Sequence, residues 1–326
     1  MSNEPIFYGQ TRIVDVRVAY LWRKMDVNSL PKFWPLIYSI VREIWNITEP
    51  PIADAAVRED IPVELYFYSE LGLDYFSIED FQKRDPFSNP EQFERLFARL
   101  NIKGWIEPLQ DKSYRVTDTA REGARRIIQA GDAQLSRFGL MSDADLERLA
   151  ELLERVVAEN NTTSEPPEKW AILKRFRVAD KNSPWLVQVR EYLMDLFAYR
   201  DDSHLSASRP HFNQAGIVWS VLGSLWTGDA LTAEQMAEKL AFRGYEAGDY
   251  EVAIEAAVGV GWAEETNVPG KFRLTQTGRE LREQAEQLTN EYFYRPWSAL
   301  TQEELDQLYD LLTKLRDQLH VSRKSV

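Results

Sequence analysis

The segment Arg200–His204, with the sequence Arg-Asp-Asp-Ser-His, groups the side chains that are best suited to hold a small ligand. A guanidinium and an imidazole can bind a carboxylate or a phenol through charge-assisted hydrogen bonds. Ligand pockets also need apolar walls, and large aromatic residues lie on both sides of this segment. The sequence therefore predicts a site for a small aromatic ligand, built from Arg200, Asp202, His204, Trp185, Tyr192, Trp219 and Trp226.

Two predicted helices must position these side chains. Residues 184–200 have an amphipathic pattern, and residues 212–226 form a nearly all-apolar helix that must be covered on most sides. A cavity between the two helices would have Arg200 and His204 at its mouth. The competing interpretation is a close-packed core, in which the aromatic rings fill space and Arg200 pairs with one of the two aspartates that follow it.

No arrangement of residues indicates catalysis. The sequence has no glycine-rich phosphate loop, no His-Glu-x-x-His and no Gly-x-Ser-x-Gly motif. Its three histidines form no recognisable metal set, and the absence of cysteine excludes a thiolate nucleophile, a thiolate metal site and a disulfide. We therefore expect a non-enzymatic protein with no catalytic residues, no metal site and no cofactor.

Charge and hydropathy restrict the partners of the chain. Residues 1–160 hold 20 Lys and Arg against 27 Asp and Glu, and residues 161–326 hold 19 against 25, within a net charge of −13. Since duplex binding depends mainly on neutralising phosphates, two acidic halves count against tight DNA binding. No apolar run approaches the ~20 residues of a membrane span, and the first residues do not resemble a signal peptide. We expect no membrane partner and a cytoplasmic location.

A long internal repeat organises the chain. Residues 114–121 match 272–279 at an offset of 158, and residues 142–153 match 301–312 at an offset of 159. Solenoid repeats are much shorter, so the period indicates a duplicated domain. The predicted divisions are an N-terminal arm (1–31), a winged-helix lobe with two C-terminal helices (32–159), a linker (160–183) and a second such lobe (184–326).

The predicted fold class is mainly α with small β-wings, formed by duplicated winged helix-turn-helix domains. In each half, short helices precede two strands and a turn, which is the order of a winged helix. Predicted helices of the first half include 33–47, ended by Pro50 and Pro51, and an aromatic helix at 62–71. Two leucine seams are expected to pack on each other about a pseudo-two-fold axis, and they contain Leu146, Leu149, Leu153 and Val156 in the first half and Leu305, Leu308, Leu312, Leu315 and Leu319 in the second.

Two segments carry a family resemblance. Phe272–Arg279 and Leu300–Leu308 resemble regulators of the multiple-antibiotic-resistance (MarR) type. The second half is also similar to tandem winged-helix proteins of the SalK type, through Arg190-Glu191, Tyr199–His204 and Arg295–Leu300. The resemblance implies a transcription-regulator fold and a small aromatic ligand held between the long helices and the winged core.

The residues that would contact DNA lie on the first recognition helix and on both wings. They are Asn89, Gln92, Arg95, Arg99, Lys112, Arg115, Lys271 and Arg273. The second recognition helix, predicted at 249–260, instead carries Asp249, Glu251 and Glu255 without a cation. We therefore expect weak or absent DNA binding. The alternative function is an acidic winged-helix protein-interaction module that binds a basic protein partner.

Overall fold

The computed structural model of the protein describes residues 27–61, 74–110, 112–212 and 216–323. Residues 1–26 of the predicted N-terminal arm lie outside these ranges, as does the predicted aromatic helix at 62–71.

The first half contains five α-helices and three strands in its described residues, preceded by a 3-10 helix at Val27–Lys32. They are α1 (Phe33–Arg58), β1 (Tyr75–Phe76), α2 (Ile78–Arg84), α3 (Pro90–Ile102), β2 (Ile106–Pro108), β3 (Tyr114–Val116), α4 (Asp118–Leu135) and α5 (Asp143–Thr162). A short helix, α6 (Ala171–Lys174), follows within the predicted linker.

In the second half, a long helix, shorter helices, a two-stranded wing and two further helices follow one another. Its elements are α7 (Trp185–Phe212), α8 (Gly216–Thr227), α9 (Ala233–Lys239), a 3-10 turn (Ala241–Arg243), α10 (Ala247–Gly259), β4 (Ala263–Glu265), β5 (Phe272–Leu274), α11 (Gln276–Tyr294), a 3-10 turn (Arg295–Ala299) and α12 (Gln302–Arg323). The described chain is therefore mainly helical, with small antiparallel sheets, as predicted.

The two wings pair in the same register. Strand β2 pairs with β3 so that Glu107 faces Arg115, and β4 pairs with β5 so that Glu264 faces Arg273. Strand β1 adds a third strand beside β3 in the first wing. In the second wing, Leu231 lies where β1 lies in the first wing. Its carbonyl accepts a hydrogen bond of 3.0 Å from the amide of Phe272 on β5.

The same cap joins each wing to the helix after it. Thr117 accepts a hydrogen bond from the third backbone amide of α4, and Thr275 does the same for α11. Each threonine hydroxyl also donates to a glycine carbonyl before the wing, that of Gly104 or Gly261. Both glycines have a positive φ, +72° and +75°, a backbone conformation that glycine adopts without a steric cost.

Helix α1 is longer than predicted. It was expected to end at residue 47, before Pro50 and Pro51, but it continues through both prolines to Arg58. Its last turns bury Ile52 and Ala55 against the core of the first wing. This burial and the extensive packing of α1 on α4 offset the two backbone hydrogen bonds that the prolines cannot donate.

Helix α7 is also longer than predicted. Instead of ending near residue 200, it runs to Phe212 and includes the whole Arg200–His204 segment. Successive residues of an α-helix are rotated by about 100°, so residues two positions apart point in nearly opposite directions. The polar side chains of the segment are therefore distributed around α7 and do not converge at its end.

Buried apolar side chains form three clusters. A central core contains residues of α1, α5, α7, α11 and α12, and thus belongs to both halves. A second cluster lies beneath the first wing and a third beneath the second wing. We call the residues around the second cluster winged unit 1 (74–127) and those around the third winged unit 2 (216–285).

The leucine seams meet different partners from those predicted. All their members are buried in the central core. Helix α5 packs mainly against α7, and α12 packs mainly against α1, so each seam contacts the first helix of the opposite half more than it contacts the other seam. Direct contacts between α5 and α12 include a hydrogen bond of 3.0 Å from Arg148 to Gln307. None of the described helices is both long and apolar enough to cross a membrane.

Candidate functional site

A cavity of about 470 Å³ lies where winged unit 1 meets winged unit 2. Helices α7, α8 and α11 and the 3-10 turn at Ala241–Arg243 contribute to its walls, and the segment after α2 closes one side with Asp85 and Phe87. Ligand pockets for small molecules have volumes of about 300–1,000 Å³, so the cavity is large enough for one ring-bearing compound.

Three of the seven predicted ligand residues line this cavity, namely His204, Trp219 and Trp226. Trp185 and Tyr192 instead pack, partly buried, against the central core. Arg200 and Asp202 are buried elsewhere. The predicted residues are thus divided between the cavity and the buried parts of the chain around it.

Arg200 points away from the cavity. Its guanidinium donates a hydrogen bond of 3.0 Å to the side chain of Asn290 and lies 4.5 Å from the ring centre of Trp34. Glu286 separates it from His204, at 3.4 Å from Arg200 and 3.6 Å from the imidazole. The prediction that Arg200 pairs with one of the aspartates after it is therefore wrong, as is its predicted place at the cavity mouth.

Asp202 has a structural contact instead of a ligand position. Its carboxylate accepts hydrogen bonds from the backbone amides of Trp170, Ala171 and Ile172, at 3.0, 2.8 and 3.0 Å. These amides are at the start of α6, where intrahelical acceptors are missing. Burial raises the pKa of Asp202, although the three amide hydrogen bonds act in the opposite direction. Asp202 thus fixes the segment between the two halves onto α7.

Three arginines that the sequence did not indicate line the cavity: Arg84, Arg243 and Arg282. The guanidinium of Arg282 lies 4.5 Å from the ring centre of Trp219 and 5.4 Å from that of Trp226. The two tryptophans are seven positions apart on α8 and therefore share one face of that helix. Together they form an aromatic wall beneath a cation.

The arginines retain unused hydrogen-bonding capacity. The Nε atoms of Arg84, Arg243 and Arg282 are buried without a hydrogen-bond partner in the described chain. Only 7% of the Arg282 side chain is exposed, and its nearest carboxylate oxygen, on Glu286, is 3.5 Å away. Arg243 donates to the hydroxyl of Ser220 at 2.9 Å. Burial lowers the pKa of Arg243 and of Arg282, as expected for cations with incomplete compensation.

The carboxylates of the cavity wall are already paired. Asp201 accepts a hydrogen bond of 2.7 Å from Arg84, and Asp229 lies 2.6 Å from Lys239. Asp85 accepts hydrogen bonds from Ser88 and from the amide of Phe87, at 2.6 and 3.1 Å. Among the described residues, Arg243 is the cavity cation without a carboxylate within ion-pair distance.

His204 is a neutral polar group in this site. Burial lowers its pKa to about 3, and the cations Arg282, Arg200 and Arg243 contribute in the same direction. The indole nitrogen of Trp219 donates to His204 Nε2 at 3.4 Å, and the Thr289 hydroxyl is 3.5 Å from Nδ1. The predicted imidazole is thus present in the cavity, but it supplies no charge near neutral pH.

Two predicted DNA contacts are occupied by winged unit 2. At the start of α3, the Asn89 side chain donates to the carbonyl of Gly244 at 3.1 Å, and its amide donates to the carbonyl of Arg243 at 2.8 Å. Gln92 donates to the carbonyl of Phe242 at 2.8 Å. In this conformation, neither polar side chain can read a base edge.

The other predicted DNA contacts lie at the surface. Arg95 is 3.6 Å from Glu91, and Arg99 is exposed farther along α3. On the wings, Arg115 pairs with Glu107 and Arg273 with Glu264. Lys112 and Lys271 are exposed in the two wing turns. The charge of both wing arginines is therefore partly compensated by a carboxylate on the neighbouring strand.

The outer face of α10 is acidic and apolar. Between Gly244 and Gly270 the chain has six acidic residues and no basic one. Val252 on α10 is 66% exposed, and Phe242 in the turn before it is exposed to the same extent. In a helix-turn-helix fold this is the surface that enters a DNA groove. Phosphates would be repelled here.

The described residues contain no cluster of three or more His, Asp or Glu side chains placed to hold a metal ion.

Comparison with known proteins gives one family match. Residues 199–324 match the sequence profile of a helix-turn-helix family, a range that begins inside α7 and extends through α12. No curated protein and no solved structure matches the chain. The match supports a helix-turn-helix type for the second half and, at a coarse level, a DNA-binding regulatory role.

Proposed function

We propose that this protein is a non-enzymatic helix-turn-helix regulator that binds a small, ring-bearing anion in the cavity between the winged units. The observation that carries this proposal is the group of buried guanidinium groups with unused Nε donors beside the wall of Trp219 and Trp226. Burying a cation without full compensation is costly, and an anion in the cavity would supply the missing hydrogen bonds.

The chemistry of the wall selects the ligand. A planar ring would lie against the indoles of Trp219 and Trp226, and its carboxylate would face Arg243 and Arg282. His204 is neutral and can donate or accept one hydrogen bond according to its tautomer. A small aromatic acid supplies the ring, the negative charge and a hydrogen-bonding group for His204. An uncharged analogue of the same shape lacks the charge that would face the two arginines.

A thermal-shift titration with benzoate, and with benzamide as the uncharged control of the same shape, tests this assignment. We expect benzoate to raise the melting temperature and benzamide to bind about ten-fold more weakly, which corresponds to the loss of one charge-assisted hydrogen bond. The proposal fails if both compounds act equally or if neither does.

Two buried arginines provide a matched pair of variants. Arg282 and Arg200 both lie over aromatic rings and both face Glu286, but only Arg282 lines the cavity. Arg282→Met should abolish the benzoate effect, whereas Arg200→Met should destabilise the protein and leave the affinity for benzoate unchanged. A benzoate response that depends on Arg200 and not on Arg282 would restore the site that the sequence alone predicted.

We also propose that the chain is an internal duplication that folds as a pseudo-dimer. Support comes from the repeated order of elements, the equal wing registers and the reciprocal packing of α5 on α7 and α12 on α1. Arg148 and Gln307 are 159 positions apart, which is the offset of the sequence repeat, and they contact each other. Equivalent residues meet in this way near a two-fold axis. The proposal includes a relationship between this chain and regulators of the MarR or SalK type.

A second candidate function is the binding of a basic protein through α10. The observation that favours it is the exposed Val252 within a segment of six acidic and no basic residues. An apolar patch with an acidic rim is complementary to a basic amphipathic helix and repels DNA.

A synthetic helical peptide with leucine on one face and lysine on the opposite face tests this second function. Val252→Lys should weaken peptide binding at least ten-fold. Val57→Lys is the control, because Val57 is also an exposed helical valine (83%) but lies on α1, away from α10. Equal effects of both substitutions would show that peptide binding reflects only the net charge of the protein.

A further inference from the structure

The outward faces of α3 and α10 occupy equivalent positions in the two winged units. Each helix has 13 residues and precedes a wing, and their first residues, Pro90 and Ala247, are 157 positions apart. Residues at spacings of three and four share one face of a helix. The outward stripe of α3 contains Glu91, Arg95, Ala98 and Ile102, and the equivalent stripe of α10 contains Gly248, Val252, Glu255 and Gly259. All of these residues are exposed.

The stripe of α3 presents a cation and an uncovered apolar side chain. Ile102 is 85% exposed. The Arg95 side chain is 64% exposed, and its ion pair of 3.6 Å is with Glu91 in the same helix. An exposed pair of this kind contributes little to stability, so Arg95 is accessible to a carboxylate of another molecule. Arg99, also exposed, adds a second positive charge beside the stripe.

The stripe of α10 has the complementary features. Glu251 and Glu255 are one turn apart and repel each other, in a segment (244–270) without a basic residue. Gly248 and Gly259 have open space where a Cβ atom would lie, and neither has a positive φ. Nothing in the described chain therefore requires glycine at these two positions, whereas the close approach of a second helix would.

Antiparallel pairing matches the two stripes. Charged residues then meet their opposites and large residues meet small ones, in the pairs Arg95–Glu255, Ala98–Val252 and Ile102–Gly248. Parallel pairing would instead place Arg95 against Val252 and Glu255 against Ala98, which leaves both charges unmatched. The antiparallel register is also reciprocal, because Arg95 and Val252 are equivalent positions, as are Ala98 and Glu255. Two-fold symmetry between surfaces gives reciprocal pairs of this kind.

The contact requires a second molecule. Both stripes are exposed in one chain, so they do not cover each other. The two helices nevertheless start close together, because the amide of Asn89, the residue before α3, donates to the carbonyl of Arg243 at 2.8 Å. Arg243 lies four residues before the start of α10, and four residues span about 14 Å at most, so the two starts lie within about 17 Å. One partner molecule can therefore cover both stripes.

We propose that two copies of this chain associate through these stripes about a two-fold axis, with α3 of each copy lying antiparallel on α10 of the other. Each such dimer contains the Arg95–Glu255 pair twice. The inference rests on the second candidate function, because it uses α10 as a protein-binding surface. It goes further in naming the basic partner, which is a second copy of the chain.

Sedimentation velocity of the full chain, from about 1 µM to about 1 mM, tests the association. We expect the mass of one chain at low concentration, the mass of two at high concentration and no larger species. Arg95→Glu and Glu255→Arg should each weaken the dimer at least ten-fold, because each turns two attractive contacts into two repulsive ones. The control is Glu147→Arg, which makes the same charge change at an exposed position of α5 and should leave the dimer unchanged.

Exchange of the two charges provides the sharpest test. The double variant Arg95→Glu with Glu255→Arg should recover the dimer, since each pair again joins opposite charges. An equimolar mixture of the two single variants should also form dimers, although neither variant does so alone at the same concentration. The inference is overturned if the chain stays monomeric up to about 1 mM, or if the double variant is as weak as the single ones. Species larger than two copies overturn the two-fold arrangement.

Failure of the second candidate function looks different. If the leucine–lysine peptide binds and Val252→Lys weakens that binding, but the chain does not self-associate, α10 is a site for another basic protein and only the inference falls. If the peptide does not bind, the second candidate function fails, while the charge exchange still decides whether α10 contacts α3 of a second copy.

Discussion

Replacement of Asp202 distinguishes a structural carboxylate from a ligand-binding one. In Asp202→Asn, the amide can keep the two hydrogen bonds that one carboxylate oxygen accepts from Trp170 and Ala171, but its NH₂ group then faces the amide of Ile172. The lost hydrogen bond is charge-assisted and buried, so the free energy of unfolding should fall by about 2 kcal/mol. Asp202→Ala leaves all three amides unpaired and should lower it by about 4 kcal/mol.

Urea denaturation followed by circular dichroism measures both changes. The control is Asp60→Asn, because the Asp60 side chain is 90% exposed and its ion pair, with Lys103, lies at the surface. Exposed pairs contribute about 0–1 kcal/mol, so this variant should be close to the parent in stability. If Asp202→Asn kept full stability and lost benzoate binding, Asp202 would be a ligand residue and the structural assignment would be refuted.

Two further predictions concern charge. The pKa of His204 in the folded protein is about 3, whereas an unfolded histidine takes up a proton below about pH 6.5, so falling pH favours the unfolded state. Between pH 7 and pH 5, the parent should lose about 2 kcal/mol more stability than His204→Gln; equal losses in two urea titrations would contradict the buried, neutral histidine. For DNA, the double variant Arg95→Ala with Arg99→Ala should lower by about 2 the magnitude of the slope of log affinity against log salt concentration. Submicromolar duplex binding near physiological salt that is unaffected by both substitutions would exclude α3 as the contact.

The sequence predicted the local elements of the wings well, because their signals are local. In both halves, short helices precede two strands and a turn, in the order that the sequence predicted. Leucine spacing in α5 and α12 correctly predicted buried seams. The partners of those seams were predicted wrongly, since the spacing of leucines defines an apolar face but not the helix that covers it.

The candidate site was predicted only in part because of one helix boundary. Ending α7 near residue 200 placed the whole polar segment at a single helix end, whereas a continuous helix directs His204 into the cavity and Asp202 toward α6. Helical spacing would have separated these two residues had the helix been extended.

The arginines of the cavity had no comparable signal. Arg84 and Arg282 are almost 200 positions apart, and only the contact between the winged units brings them together. The same contact removes Asn89 and Gln92 from the DNA-reading surface, although their residue types and positions at the start of a recognition helix suit that role.

A crystal structure of the protein with benzoate is the decisive test of the proposed ligand site. This site requires electron density in the cavity, with the carboxylate within hydrogen-bond distance of Arg243 and Arg282 and the ring against Trp219. Benzoate bound instead between Trp185 and Tyr192, or an empty cavity in crystals grown at a benzoate concentration that raises the melting temperature, would contradict it.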